Sequence, residues 1–128
     1  MKNILVIEDD SLYASTVEMV LLECGNFDVS IAYNLTSGIE KIKNYKFDFV
    51  ICDLGLPDSY GVNTAVELRK HTNLPIIILS GIDFSSIIAA SLSSNAVDYI
   101  LKSELTIDRI MKTINSIEGC TRDLIKKK

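Results

Sequence analysis

Five short apolar runs, separated by longer polar-interrupted segments, constrain the fold of this chain more than any other feature. They read "NILVI" at 3–7, "DVSIA" at 28–32, "FVIC" at 49–52, "IIIL" at 76–79 and "VDYIL" at 97–101. The first, third and fourth are apolar at successive positions rather than alternating, the pattern of strands covered on both faces of a parallel sheet. The segments between them carry helical spacing. Val17, Val20, Leu21 and Cys24 form one stripe, opposite Leu12, Ser15, Thr16 and Met19, and Leu35, Ile39 and Ile42 form a second. Val62, Ala65, Val66 and Leu68 suggest a third helix. Ile87, Ile88, Ser91 and Leu92 suggest a fourth, with Asp83 as its cap. Ile107, Ile110, Met111, Ile114 and Ile117 mark the last.

A strand followed by a helix, five times over, with right-handed crossovers, forms a doubly wound α/β layer with helices on both faces. The flavodoxin-like order 2-1-3-4-5 is expected, because it centres the most apolar strands and puts the polar-rich second strand at an edge. Ligands of such sheets bind beyond the carboxyl ends of the strands, near the switch between the first and third. At 128 residues, with no Pro-, Gly- or Ser-rich linker, the chain reads as one domain over 1–118. Residues 119–128 read as an extension of the last helix or the start of a connector.

Composition excludes several classes of function. The formal net charge of −4 argues against a broad nucleic-acid surface. No run approaches the roughly 18 apolar residues of a membrane span, and the N-terminus meets acids too early for a signal peptide. A cytoplasmic protein is expected. Cys24, Cys52 and Cys120 are odd in number and widely spaced, so they read as reduced thiols rather than a disulfide framework or a zinc site.

Chemistry gathers where the strands end. Glu8, Asp9 and Asp10 follow the first strand, Asp53 the third, Ser80 and Gly81 the fourth, and Lys102 and Ser103 the fifth. Taken one at a time these are ordinary: Asp10 is a natural helix cap, Lys102 a surface lysine and Ser80 a turn residue. His71 reads as the decoration of a helix C-terminus. On one rim they become a site. Each close carboxylate pair repels by about 4 kcal/mol at an effective dielectric near 20, so a cation is expected, and hard oxygen ligands without His or Cys favour Mg²⁺ or Mn²⁺. Lys102 offers a point charge and Ser80 a hydroxyl donor to an anionic oxygen. Carboxylates serve as phosphoryl acceptors, and the set predicts transfer onto Asp53, with Gly81 leaving room for the incoming group.

"ILVIEDD", "FVICDLGLPDSYG", "PIIILSG" and "DYILKS" resemble, in order and over essentially the whole chain, the receiver domain of two-component response regulators. The resemblance implies that Glu8 and Asp9 hold Mg²⁺ together with Asp53 and the backbone carbonyl of Gly55. It implies a sensor histidine kinase or histidine phosphotransfer protein as donor, and contacts from Ser80 and Lys102 to the phosphoryl group. Tyr99 is then the aromatic switch that repositions as Ser80 is drawn toward the phosphate. The last strand and its flanking helices become the signalling surface, where activation can form a homodimer, and an output domain can be covalently attached beyond this chain.

The pattern departs from the family at Ser103, where a proline usually follows the lysine, and at Tyr60, to which no role is assigned. Receivers without that proline resemble those joined to sensor kinases and cyclase-type modules, whose final helix runs into a connector. Three other functions stand beside the switch. A phosphatase or phosphotransferase would need a second acid two residues past the nucleophile, where Gly55 stands. Flavin binding would need a phosphate-cradling loop where Glu8, Asp9 and Asp10 lie. A receiver that has lost phosphorylation would not need the acids that this chain keeps.

Overall fold

The computed structural model describes residues 2–81 and 98–126. The fourth predicted helix, with Ile87, Ile88, Ser91, Leu92 and its cap Asp83, lies outside the described residues, as do Met1 and the last two lysines. The elements run β1 (Lys2–Ile7), α1 (Ser11–Cys24), β2 (Phe27–Ala32), α2 (Leu35–Asn44), β3 (Phe49–Asp53), β4 (Gly55–Leu56), β5 (Ser59–Tyr60), α3 (Val62–Arg69), β6 (Ile76–Ser80), β7 (Asp98–Leu101) and α4 (Ile107–Lys126). A single 3-10 turn, Lys102–Glu104, links the last strand to the last helix.

The main sheet has the order β2-β1-β3-β6-β7, with every neighbouring pair parallel. With the small β4–β5 hairpin set aside, this is the 2-1-3-4-5 order expected from the sequence. The three continuously apolar runs occupy the centre, and β3 and β6 are buried at every position.

Alternate residues of the strands feed two apolar layers. Leu5, Ile7, Val50, Cys52, Ile76 and Ile78 pack with Leu35 of α2 and Ala65 and Leu68 of α3. Ile4, Val6, Phe49, Ile51, Ile77 and Leu79 pack with Val17 and Leu21 of α1 and Ile110 and Ile114 of α4. Phe27 meets Phe49 edge to face, with ring centroids 6.5 Å apart.

Helix ends follow local chemistry. Asp10 caps α1 through Leu12 and Tyr13, and Asn34 caps α2 through Ser37. Leu12 and Met19 lie exposed on the outer face of α1, as the stripe predicted. Val66 differs from expectation: Ala65 and Leu68 turn inward, which leaves Val66 on the solvent side at 39% exposure. Gly38 is a point of close approach. A Cβ there would stand 2.4 Å from Ile7 Cδ1 and 2.9 Å from Ile7 Cγ1, so only glycine lets α2 lie this near β1. At Gly61, which opens α3, φ is +68°, in the left-handed region that glycine enters without strain.

Candidate functional site

The parallel register builds the site directly. Ile7 of β1 pairs with Cys52 of β3, so the next residue of each strand, Glu8 and Asp53, emerges side by side at the carboxyl edge. Both fall on the sheet face covered by α1 and α4, and both are buried: Glu8 is 0% exposed and Asp53 6%. On the other flank, Asp53 pairs with Leu79 of β6, which places Ser80 one residue further along the same rim. Ser80 in turn pairs with Leu101 of β7, and Lys102 follows.

Lys102 spans the gap. Its ammonium lies 2.8 Å from Glu8 Oε1 and 3.1 Å from Asp53 Oδ2. Asp53 Oδ1 accepts a hydrogen bond from the Gly55 amide across 3.2 Å, and Glu8 Oε1 accepts one from the Asp10 amide across 3.3 Å. Glu8 Oε2 is buried and has no partner among the described residues. Asp9 is exposed, yet one carboxylate oxygen from each of Glu8, Asp9 and Asp53 lies within 4.8 Å of the others. Asp10 turns away from this cluster, because its carboxylate is spent on capping α1.

Electrostatics follow from that enclosure. Burial pushes the Glu8 carboxyl up to about 7. The hydrogen bond from Lys102 opposes the rise, whereas the neighbouring charge of Asp53 adds to it. One ammonium shared between two acids is therefore not enough to restore ordinary acidity. Burial by itself would lower the Lys102 ammonium, but the hydrogen bond to Glu8 and the charge of Asp53 outweigh it and hold the group above its usual value. Burial also raises the Cys52 thiol, the adjacent acids raise it further, and the sulfur stays a neutral core group.

A divalent cation fits what is present. Three carboxylates converge, one buried oxygen is unsatisfied, and every donor is a hard oxygen, the set that suits Mg²⁺ rather than zinc.

The remaining residues of interest take these positions. Tyr99 sits in β7 in register with Ile78, packed against the core layer beneath α2 and α3, on the same sheet face as Ser80. Gly55 opens β4, where it pairs with Tyr60. A Cβ at Gly81 would meet the Lys102 stem at an ordinary 3.8 Å. Among the described residues no peptide bond is cis, so the chain runs trans from Lys102 into Ser103. His71 lies just past α3 and faces Glu67 at 3.6 Å.

Five residues with structural parts near the site were not foreseen in the sequence. Tyr13 donates its hydroxyl to the Lys102 carbonyl across 2.9 Å, and its ring lies under the Lys102 ammonium. Asp58, in the loop beyond Asp53, binds the first amides of α2. Asp98, Arg109 and Thr113 form a hydrogen-bonded cluster between β7 and α4. Only Asp98 and Arg109 carried a hint, as opposite charges near the ends of consecutive elements. The other contacts join residues too far apart in sequence for any local pattern to show them.

The sequence profile of the response regulator receiver domain matches residues 4–115. The transcriptional regulatory protein KdpE of Staphylococcus aureus is 36% identical over 115 residues, covering 90% of this chain and 49% of the relative. The response regulator ArlR of Staphylococcus saprophyticus is 34% identical, covering 80% of this chain and 46% of the relative. The chain thus spans about half the length of these curated relatives. A response regulator receiver domain protein from Clostridium thermocellum superposes with a TM-score of 0.85 at 25% identity, covering 97% of this chain and 99% of that one. A two-component response regulator from Clostridium difficile gives 0.84 at 26%, covering 93% and 97%. With the strand order, the acids and the lysine in the positions described, the chain belongs to the response regulator receiver domains, the signalling modules of two-component systems.

Proposed function

We propose that Asp53 is the phosphoacceptor of this receiver, and that Glu8, Asp9, Asp53 and the carbonyl of Gly55 hold the Mg²⁺ on which the reaction depends. The observation that carries the reading is the placement of the Lys102 ammonium, 2.8 Å from Glu8 and 3.1 Å from Asp53. In the transfer, a carboxylate oxygen of Asp53 forms a bond to phosphorus. The bond from phosphorus to the donor's imidazole nitrogen breaks, and its electron pair returns to the imidazole, which takes up a proton. Lys102 faces the charge carried by the phosphoryl oxygens, and the Ser80 hydroxyl donates to one of them. Mg²⁺ held by Glu8, Asp9 and Asp53 would supply further neutralisation of the transferring charge. Tyr99, on the sheet face of Ser80, carries the switch to the β7 surface.

The module catalyses only its own phosphorylation and dephosphorylation. Gly55 stands where a phosphatase would place a second acid, and Glu8, Asp9 and Asp10 would repel a flavin phosphate. The donor is a sensor histidine kinase or histidine phosphotransfer protein of the cytoplasm. Activation favours a homodimer through β7 and its flanking helices, and the output resides in a covalently attached domain or a partner. Among the described residues no helix is long and apolar enough to cross a membrane.

The test is direct. Incubation with Mg²⁺ and a small phosphodonor such as acetyl phosphate should add one phosphoryl mass to the intact protein. Chelation of the metal or the substitution Asp53→Asn should abolish the addition. Labelling that survives Asp53→Asn would place the acceptor elsewhere.

A further inference from the structure

We propose that Tyr13 is a positioning residue for phosphoryl transfer, fixing Lys102 from the first turn of α1. The inference rests on the reading of Asp53 as acceptor and Lys102 as its cationic partner.

Two contacts from one side chain carry it. The Tyr13 hydroxyl donates to the backbone carbonyl of Lys102 across 2.9 Å, and the centre of its ring lies 4.7 Å from the Lys102 ammonium. The hydroxyl therefore holds the root of the lysine while the ring supports its tip. Without such a hold the tip is free to wander, since a lysine stem has four rotatable carbons and an ammonium has no directional fork. The backbone gives little help, because the residue after Lys102 is Ser103, exposed and without the fixed φ of a proline. Gly81, beside the stem, presents no side chain to it.

Tyr13 is itself held. Its amide donates to the capping carboxylate of Asp10 at 3.4 Å, and its ring is half-buried against the layer beneath α1 and α4. The acidic loop that carries Glu8 and Asp9 thus also fixes, through Asp10 and Tyr13, the lysine that answers their charge. The ring quadrupole favours the ammonium where it lies between the two carboxylates.

The experiment compares the unsubstituted chain with Tyr13→Phe, which keeps the ring and loses the hydroxyl, and Tyr13→Leu, which loses both. Three quantities are read: the acetyl phosphate labelling rate by intact mass, the Mg²⁺ dissociation constant by calorimetry, and the thermal midpoint. Labelling should slow about threefold to tenfold in Tyr13→Phe and more in Tyr13→Leu, with the Mg²⁺ dissociation constant within about twofold. Each substitution is repeated in a Lys102→Ala background, followed long enough for that background to label; there neither should slow the reaction further. An unchanged rate in Tyr13→Phe and Tyr13→Leu, an equal fractional loss with and without Lys102, or a loss that follows Mg²⁺ affinity or thermal midpoint overturns the proposal. If the unsubstituted protein fails to label, or Asp53→Asn still labels, the phosphoacceptor reading fails and the positioning role falls with it.

Discussion

Glu8 accepts the Lys102 ammonium on one carboxylate oxygen at 2.8 Å, and its other oxygen is buried with no partner among the described residues. The acid is held in a state that the metal-free fold only partly compensates. Glu8→Gln keeps the shape, removes one charge beside Asp53, and can place an amide donor where the unsatisfied oxygen stands. The metal-free variant at pH 8 should therefore be more stable by about 1 kcal/mol, roughly 3–5 °C for a domain of this size. Its Mg²⁺ affinity should fall at least about tenfold, because a hard anionic ligand has become neutral. Calorimetric titration and thermal unfolding of the same samples check both signs. A variant that loses stability and retains its metal affinity would contradict the account.

Acid should act on the β7–α4 junction. Asp98 accepts from both terminal nitrogens of Arg109, at 2.9 and 3.1 Å, and from the Thr113 hydroxyl. Burial would raise its carboxyl, but these bonds and the Tyr99 amide overcome it and hold the group below the ordinary carboxylate value of 3.8. The folded state thus binds that proton less readily than the unfolded chain. The stabilisation is complete above about pH 5, and it is lost as pH falls through the unfolded value toward the lower folded one. Asp98→Asn should cost about 1 kcal/mol near pH 6, and the difference from the unsubstituted protein should shrink toward pH 3. Urea midpoints across that range measure it. A difference constant in pH would remove Asp98 as the titrating group.

Gly38 tests how tightly α2 is laid on the sheet that carries Glu8. Alanine is the better helix former by about 1 kcal/mol, but its methyl would fall 2.4 Å from Ile7 Cδ1, in a fully buried layer. Overpacking of this kind costs about 1–3 kcal/mol, so steric conflict should outweigh propensity and Gly38→Ala should be destabilising by up to about 2 kcal/mol. Chemical denaturation at constant m-value decides the matter. A stabilised variant would mean that Ile7 has room to turn aside.

The contrast between these residues explains how far the sequence could be read. Strands buried on both faces announce themselves as unbroken apolar runs, so β1, β3 and β6 and their central places were legible. The Asp10 cap was legible because a cap is a contact over two or three residues. Glu8, Asp53, Ser80 and Lys102 could be gathered on one rim because parallel strands put all their carboxyl ends on one side. The Val66 side was harder to read, because a short helix with two inward residues tolerates an apolar one outside. The β4–β5 hairpin is only two residues a strand, too short for periodicity. Tyr13 reaches Lys102 across 89 positions, and no pattern along the chain records that contact.

Asp58 gives the last prediction, since it joins the loop beyond Asp53 to a helix that precedes it in sequence. Its Oδ1 accepts from the Leu35 amide at 2.8 Å, and its Oδ2 accepts from the Thr36 amide at 2.9 Å and the Thr36 hydroxyl at 2.7 Å. Asn34 satisfies only the Ser37 amide, so Asp58 takes two of the donors that α2 leaves open at its start. A negative charge at that end also meets the favourable pole of the helix dipole. Asp58→Ala should therefore cost about 1–2 kcal/mol, and Asp58→Asn less, because one oxygen acceptor remains. Amide exchange at Leu35 and Thr36 should quicken in Asp58→Ala while Ser37, bonded to Asn34, changes little. Exchange that is unaltered at Leu35 and Thr36, with an unshifted denaturation midpoint, would show that water replaces the carboxylate at no cost and that the loop is held by the β4–β5 hairpin and Gly61 instead.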